Sequence, residues 1–339
     1  MTPPSISGRL STRGAAAATI ALARSSNVLI LLAGLAALLG YYWHRQPMIL
    51  SVFGLRTLAN GATPLALAGI GQLSVILTGG VDLSIGSIIG LSNCIAATVF
   101  GDGPANFVGT ILLVLAVGTA CGLVNGIIVA KLRLQPIVVT LATSYVFHGI
   151  SLYVRPSPGG HAPAAFRAAL TGMTGYLPHA AVLVLIAVAL LWRTVIRTRL
   201  GQGLYAVGDN EGGAFLSGIP VARVLLLSYA LSGLFAAIAG LFLTAQTTSG
   251  DAGIGASYTL GSIAAAVLGG ATLAGGRGSA LGTVLAASLL SLLLGVLFVA
   301  GVSTFYQSVF QGGILLVVLV IGNLHLLWTR SWMRFIAGT

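Results

Sequence analysis

Charge is what this sequence most lacks. Lys, Arg, Asp and Glu make up 6% of its 339 residues, whereas a water-soluble domain carries about 25%. A chain this long with so few charges cannot cover a globular surface with polar groups, so its outer surface must meet lipid. Acids are scarcer than bases, five against 16. Asp102 and Asp251 fall in outer loops, and Asp209 and Glu211 in an inner loop, which leaves Asp82 as the one acid at the edge of an apolar segment. Proton- or sodium-driven carriers bury several ionisable groups along their route, so ion coupling has thin support. The single lysine, Lys131, follows Ala130. A phosphate-cradling P-loop needs Gly directly before Lys, so this chain does not hydrolyse ATP by that machinery. Cys94 and Cys121 both lie in apolar surroundings; they read as small hydrophobes and imply no disulfide framework. Nothing in the sequence groups His, Cys, Asp and Glu into a metal site or a hydrolytic triad.

What is present is apolar, at 57% of the chain. A helix needs about 20 such residues to cross roughly 30 Å of hydrocarbon. Ten spans are expected, at about 27–43, 57–78, 84–101, 106–130, 136–154, 179–196, 224–247, 257–274, 279–300 and 305–328, the third and eighth being the weakest because of their glycines. The first is preceded by Arg9, Arg13 and Arg24 and ends in Tyr41-Tyr42-Trp43-His44-Arg45. That is an interfacial aromatic belt and not a cleavage site, so it reads as a retained span. The formal charge of +11 does not indicate nucleic acid, because the basic residues are scattered between apolar runs. They encode orientation instead. With a cytoplasmic N-terminus, the inner side holds Arg9, Arg13, Arg24, Lys131, Arg133, Arg193, Arg197, Arg199, Arg223, Arg277, Arg330 and Arg334, and the outer side holds Arg45, Arg56, Arg155 and Arg167. The expected architecture is therefore an all-α, polytopic transmembrane helix bundle with both termini cytoplasmic: an N-terminal segment 1–26, one transmembrane domain 27–328 and a tail 329–339.

Two loops stand out. The outer one, about 155–178, holds Pro156, Pro158, Gly159, Gly160, Pro163 and Pro178 and reads as irregular. The inner one, about 197–223, is the most polar stretch between spans, and a short helix over about 210–217 fits it, capped by Asp209 or Asn210 and stopped before Pro220. The 47 glycines serve close helix packing in lipid. Clusters at span junctions, namely Gly79-Gly80, Gly269-Gly270 and Gly275-Gly276-Arg277-Gly278, suit hinges and breaks. Gly79-Gly80-Val81-Asp82-Leu83-Ser84 is weakly echoed by Gly269-Gly270-Ala271-Thr272-Leu273-Ala274. Neutral polar groups (Gln72, Thr78, Asn93, Asn125, Thr140, Thr143, Ser144 and Gln246) could line a passage for an uncharged polyhydroxylated solute, and each could equally make an interhelical hydrogen bond. Asp82 likewise reads as a passage residue or as a cap on the third span.

These motifs resemble a known family, the ribose-type permeases of bacterial ABC sugar importers. The likeness runs from about residue 58 to 322, through Val75-Ile76-Leu77-Thr78-Gly79-Gly80-Val81-Asp82-Leu83-Ser84, Gly122-Leu123-Val124-Asn125-Gly126, Pro136-Ile137-Val138-Val139-Thr140, Tyr205-Ala206-Val207-Gly208-Asp209-Asn210-Glu211, Ser217-Gly218-Ile219 and Ala264-Ala265-Ala266-Val267-Leu268-Gly269-Gly270 to Gly275-Gly276-Arg277-Gly278-Ser279. The resemblance implies a permease subunit in the bacterial inner membrane, without an ATPase site or cofactor of its own. It implies a second permease subunit, a cytoplasmic ATPase that binds ATP and Mg, and a periplasmic sugar-binding protein. It assigns coupling to the ATPase to the inner loop, with Asp209, Asn210, Glu211, Leu216, Ser217 and Gly218; a plain solvated connector is the other reading. The sequence departs from the family pattern at Gly212-Gly213, where Ala is usual; at Thr259-Leu260, where Glu-Leu is common; and at His148-Gly149, where Arg-Gly is common. On the residues alone, a stand-alone secondary transporter remains the alternative.

Overall fold

The computed structural model describes residues 27–101 and 103–303, with positions 306, 309, 310, 312, 313 and 316. The expected 1–26 segment, the 329–339 tail, Asp102 and most of the tenth expected span lie outside the described residues. The chain is an all-α membrane protein, apart from one two-residue hairpin.

Among the described residues, five helices are long and apolar enough to cross a membrane: α1 (Asn27–Arg45), α4 (Pro104–Leu132, apolar from Asn106), α5 (Pro136–Val154), α11 (Val221–Thr247) and α13 (Ala280–Val299). At the centre stands α2 (Val52–Ile76), whose residues are buried without interruption from Thr63 to Ile76. A helix apolar on every side is a core helix, and α2 is wrapped by α11, α12 and α13. Helix α11 packs against α4 along a stripe of Gly118, Gly122 and Gly126, where an added Cβ would run into Gly233, Tyr229 and Leu226 of α11. In lipid such backbone-to-backbone approach replaces the hydrophobic drive. The sixth expected span is composite: α7 (His179–Ile186), a π-helical turn Ala187–Trp192 and α8 (Arg193–Arg197).

The expected spans at 84–101 and 257–274 are shorter than the sequence suggested. Helix α3 covers Ile85–Val99, 15 residues, and α12 covers Ala256–Leu268, 13 residues. At 1.5 Å per residue these reach about 22 and 20 Å, short of the roughly 30 Å of a bilayer core. The rest of each pass is non-helical backbone, 77–84 and 269–279, mostly buried or half-buried against protein, with Gly79, Ala274 and Arg277 exposed. Both breaks open with the same device. Gly79 (φ +81°) follows α2, and the Gly80 amide donates to the Val75 carbonyl at 3.2 Å; Gly270 (φ +97°) follows α12, and the Ala271 amide donates to the Ala266 carbonyl at 3.0 Å. This left-handed termination favours glycine. It aligns Gly79 with Gly270, one residue out of register with the echo read from the sequence.

Contacts between loops sort them onto two faces. On one, Arg133 pairs with Glu211, the Gly276 amide donates to the Leu77 carbonyl at 3.0 Å, and Gly276 packs on Asp209. On the other, Arg155 donates to the Thr98 hydroxyl, Arg56 to the Thr171 carbonyl, and Gly159 bridges Gly250. These contacts set Arg133 on the first face and Arg56 and Arg155 on the second. The 155–178 loop is more ordered than expected. It contains α6 (Ala164–Thr171) and a hairpin of β1 (Met173–Thr174) and β2 (Leu177–Pro178). Pro163 starts that helix, and the Ala-rich run after it has no breaker. Phe166 of α6 then closes an aromatic cluster with Phe100 and Phe107, at centroid separations of 4.7 and 5.5 Å.

Candidate functional site

The inner loop folds into two short helices. Helix α9 (Arg199–Asp209) is capped by Thr198, whose hydroxyl accepts from the Gly201 amide at 3.0 Å. Helix α10 (Glu211–Leu216) is capped by Asn210, whose side-chain oxygen accepts from the Gly213 amide at 2.8 Å, and Glu211 stands in its first turn. The expected helix is therefore present within a residue at each end, and Asn210 is its cap. Its C-terminus closes on Gly218 (φ +79°), with the Ser217 hydroxyl donating to the Gly213 carbonyl at 2.8 Å. The two apolar side chains before that turn point outward: Phe215 is 70% exposed and Leu216 87%. Phe215 was not singled out from the sequence, although a large apolar residue in a polar inner loop was the available signal.

Helix α9 leads from this tip back to the bundle. Near its C-terminus, Gly208 lies against both helix breaks: an added Cβ would overlap the Leu77 carbonyl and stand 2.5 Å from the Gly276 amide nitrogen. Asp209, the next residue, packs beside Gly276, itself at φ +72°. Of the glycines expected as hinges, Gly79, Gly80, Gly269, Gly270 and Gly276 all sit in these breaks. Gly208 joins them only through the fold.

The polar residues expected along a passage are mostly bonded to one another. Asp82 is fully buried. One carboxylate oxygen accepts from the Ser84 amide (2.9 Å) and the Ser84 hydroxyl (2.6 Å), and the other from the Ser232 hydroxyl of α11 (2.7 Å). The carboxylate thus caps the start of α3 through Ser84, the second of the two readings open to it. The Gln72 amide, oriented by its partners, donates to the Asp82 carbonyl at 2.9 Å and accepts from the Asp82 amide at 3.1 Å. Asn125 donates to Ser84 at 2.8 Å and accepts from Thr143 at 2.7 Å, while Thr140 accepts from the Leu83 amide at 3.0 Å. Asn93 donates to Thr244 at 2.9 Å and accepts from the Asp251 amide at 2.7 Å. These side chains hold the non-helical 77–84 segment and the 248–255 loop in place, the work that buried backbone without a helix requires.

A separate hollow of about 450 Å³ opens between α3, α5 and the start of α12, lined by Leu83, Gly86, Ser87, Leu141, Ser144, Tyr145, His148, Ala252, Gly253, Ala256, Thr259 and Leu260. Of the neutral polar residues picked from the sequence, Ser144 alone lines it. His148 and Thr259, two of the departures from the family pattern, meet here on its walls. Its base is the crossing of α3 over the α12 start, where Gly86 touches Gly255 and Gly90 touches Ala252. Among the described residues no group of three or more His, Cys, Asp and Glu could hold a metal ion.

A family model described as branched-chain amino acid transport system / permease component matches residues 54–319. The chain is 36% identical over 279 residues to the ribose import permease protein RbsC of Bacillus subtilis (strain 168), covering 81% of this chain and 86% of that protein. It is 36% identical over 270 residues to the autoinducer 2 import system permease protein LsrD of Yersinia enterocolitica, covering 77% and 81%. It is 33% identical over 309 residues to the galactose/methyl galactoside import permease protein MglC of Salmonella typhimurium, covering 86% and 92%. No solved structure matches.

Proposed function

The chain belongs to the branched-chain amino acid transport system / permease component family, and on that premise we propose that it is the membrane-spanning subunit of an ATP-driven importer that carries a monosaccharide from periplasm to cytoplasm. The relatives named for ribose and galactose, aligned over most of both chains, favour a sugar over an amino acid. In this reading the protein lies in the bacterial inner membrane with ten spans and both termini inside, its basic face being the cytoplasmic one. A second permease subunit completes the pore. A separate ATPase binds ATP and Mg, and a periplasmic sugar-binding protein delivers the solute to the opposite face. This chain does no chemistry on the solute.

The observation that carries the reading is α10, a short capped helix holding Phe215 and Leu216 out from the face that carries Arg133. Exposed apolar side chains on an otherwise polar loop mark a protein contact, and a helix seated in a groove of a partner is a common form of it. Closure of the ATPase pair on ATP would displace α10, and α9 would carry that displacement to the helix breaks at Gly208.

The test is co-purification and uptake. Phe215→Ser with Leu216→Ser should strip an ATPase from the detergent-solubilised complex and abolish nucleotide-dependent uptake, leaving the permease in the membrane. Uptake by this chain alone, in sealed vesicles without nucleotide, would overturn the proposal in favour of a secondary transporter.

A further inference from the structure

Most buried polar side chains are bonded within the protein, with Asn60 Oδ1, Ser92 Oγ and the Tyr229 hydroxyl as buried exceptions, and the hollow between α3, α5 and α12 gathers a further group of free side chains in one place. Asn93, Asn125, Thr140 and Asp82 all spend their hydrogen-bonding groups on the protein. On the hollow's walls, the Ser87, Tyr145, His148 and Thr259 side chains make no hydrogen bond to any described residue. Lipid would suit them poorly. The hollow is open, with Leu141, Tyr145 and Leu260 on its walls 45%, 74% and 53% exposed, and free hydroxyl and imidazole groups facing hydrocarbon would go unsatisfied at a cost of several kcal/mol each. They face either water or a ligand that moves through water.

The chemistry of the walls narrows that ligand. Helices α3 and α12 begin here, and in neither does the N-cap side chain accept from the first turn. The first-turn amides of Gly86 and Ser87 are therefore donors without an intrahelical acceptor, whereas the Ala256 amide donates to the Gly253 carbonyl at 3.1 Å. Together with three hydroxyls and an imidazole they make a donor-rich wall suited to hydroxyl and ether oxygens. No Lys, Arg, Asp or Glu lines the hollow, so a charged ligand would find no counter-ion. Leu83, Leu141, Leu260 and the 74% exposed Tyr145 ring supply apolar surface for C–H groups. The volume falls within the roughly 300–1,000 Å³ range of small-molecule sites.

We propose that this hollow is a solute-selecting site of the permease, taking an uncharged polyhydroxylated ring, with Thr259 and His148 as residues that set which ring passes. The proposal rests on the permease reading and deepens it, placing part of the selectivity in this chain. Thr259 is placed for the role: its hydroxyl occupies the space that Gly86 leaves open on the facing helix.

The experiment uses the full chain with Cys94→Ala, Cys121→Ala and Thr259→Cys, in lipid nanodiscs, probed with a membrane-impermeant thiol reagent. The expected result is labelling that ribose, galactose or another neutral monosaccharide of a panel slows several-fold and that gluconate and leucine leave unchanged. A cysteine that never reacts, protection by no neutral sugar, or protection by gluconate or leucine would each overturn the proposal. Tyr145→Cys is the second probe, should Thr259→Cys fail to assemble. In the reconstituted importer, Thr259→Val keeps the shape and removes the hydroxyl. It should alter the ratio of uptake rates between two panel sugars by about tenfold, with ATPase association unchanged. Nucleotide-dependent uptake by the unmutated importer, measured alongside, separates the two readings: intact uptake with an unprotected cysteine sinks the site alone.

Discussion

Gly208→Ala is the sharpest test of the route from the coupling loop to the membrane. The added methyl would overlap the Leu77 carbonyl and lie 2.5 Å from the Gly276 nitrogen, where carbon contacts settle at about 3.5 Å. Either α9 or the two helix breaks must retreat by about 1–1.6 Å. Both neighbours are backbone, so no flexible side chain can absorb the strain. Overpacking of this kind costs about 1–3 kcal/mol. As a coupling free energy between two sites the same range is about 5–150-fold in the population of the packed arrangement. The assay is the reconstituted importer, reading solute delivered per ATP hydrolysed. Gly208→Ala should lower that ratio at least about fivefold while the ATPase still co-purifies. Gly212→Ala, in exposed α10 with only ordinary contact to the Asn210 side chain, is the control and should transport normally, gaining up to about 1 kcal/mol of helix stability. Wild-type stoichiometry in Gly208→Ala would refute the idea that motion passes through this junction.

Asp82→Ala removes a buried acceptor from Ser84 and Ser232 and should lower stability in detergent by at least about 1.5–3 kcal/mol; an unchanged thermal denaturation curve would show that the network does not brace the 77–84 segment. Asn210→Ala takes the cap from a six-residue helix at about 1 kcal/mol, so ATPase co-purification should weaken without loss of the permease, as scored on a native gel. Gly122→Leu drives a side chain into the Tyr229 backbone of α11, whereas Gly109→Leu meets open space; only the first should abolish accumulation in the membrane, read by immunoblot of isolated membranes.

The breaks illustrate where reading from sequence stops. Glycine pairs at 79–80 and 269–270 announced that something irregular happens, because glycine is favoured wherever backbone turns left-handed. That the first pair closes a 25-residue helix and the second a 13-residue one depends on what surrounds each. The irregular backbone after each pair persists because neighbouring segments take up its hydrogen bonds, as the Leu77 carbonyl does for the Gly276 amide. The neutral polar residues show the same limit: Asn93 and Ser144 look alike in sequence, yet one is consumed by Thr244 and Asp251 and the other lines a hollow.

Composition by itself determined that this protein meets lipid, since low charge and high apolar content sum over residues regardless of partners. The capped helix near 211–216 was also legible, because capping is local. Which polar groups stay free, which glycine meets which carbonyl, and that two half-helices begin at one hollow were decided by the tertiary structure alone. Hydrogen-bond saturation and close contact are properties of pairs, and the pairs here, Asp82 with Ser232 or Gly208 with Leu77, lie more than a hundred residues apart in the chain.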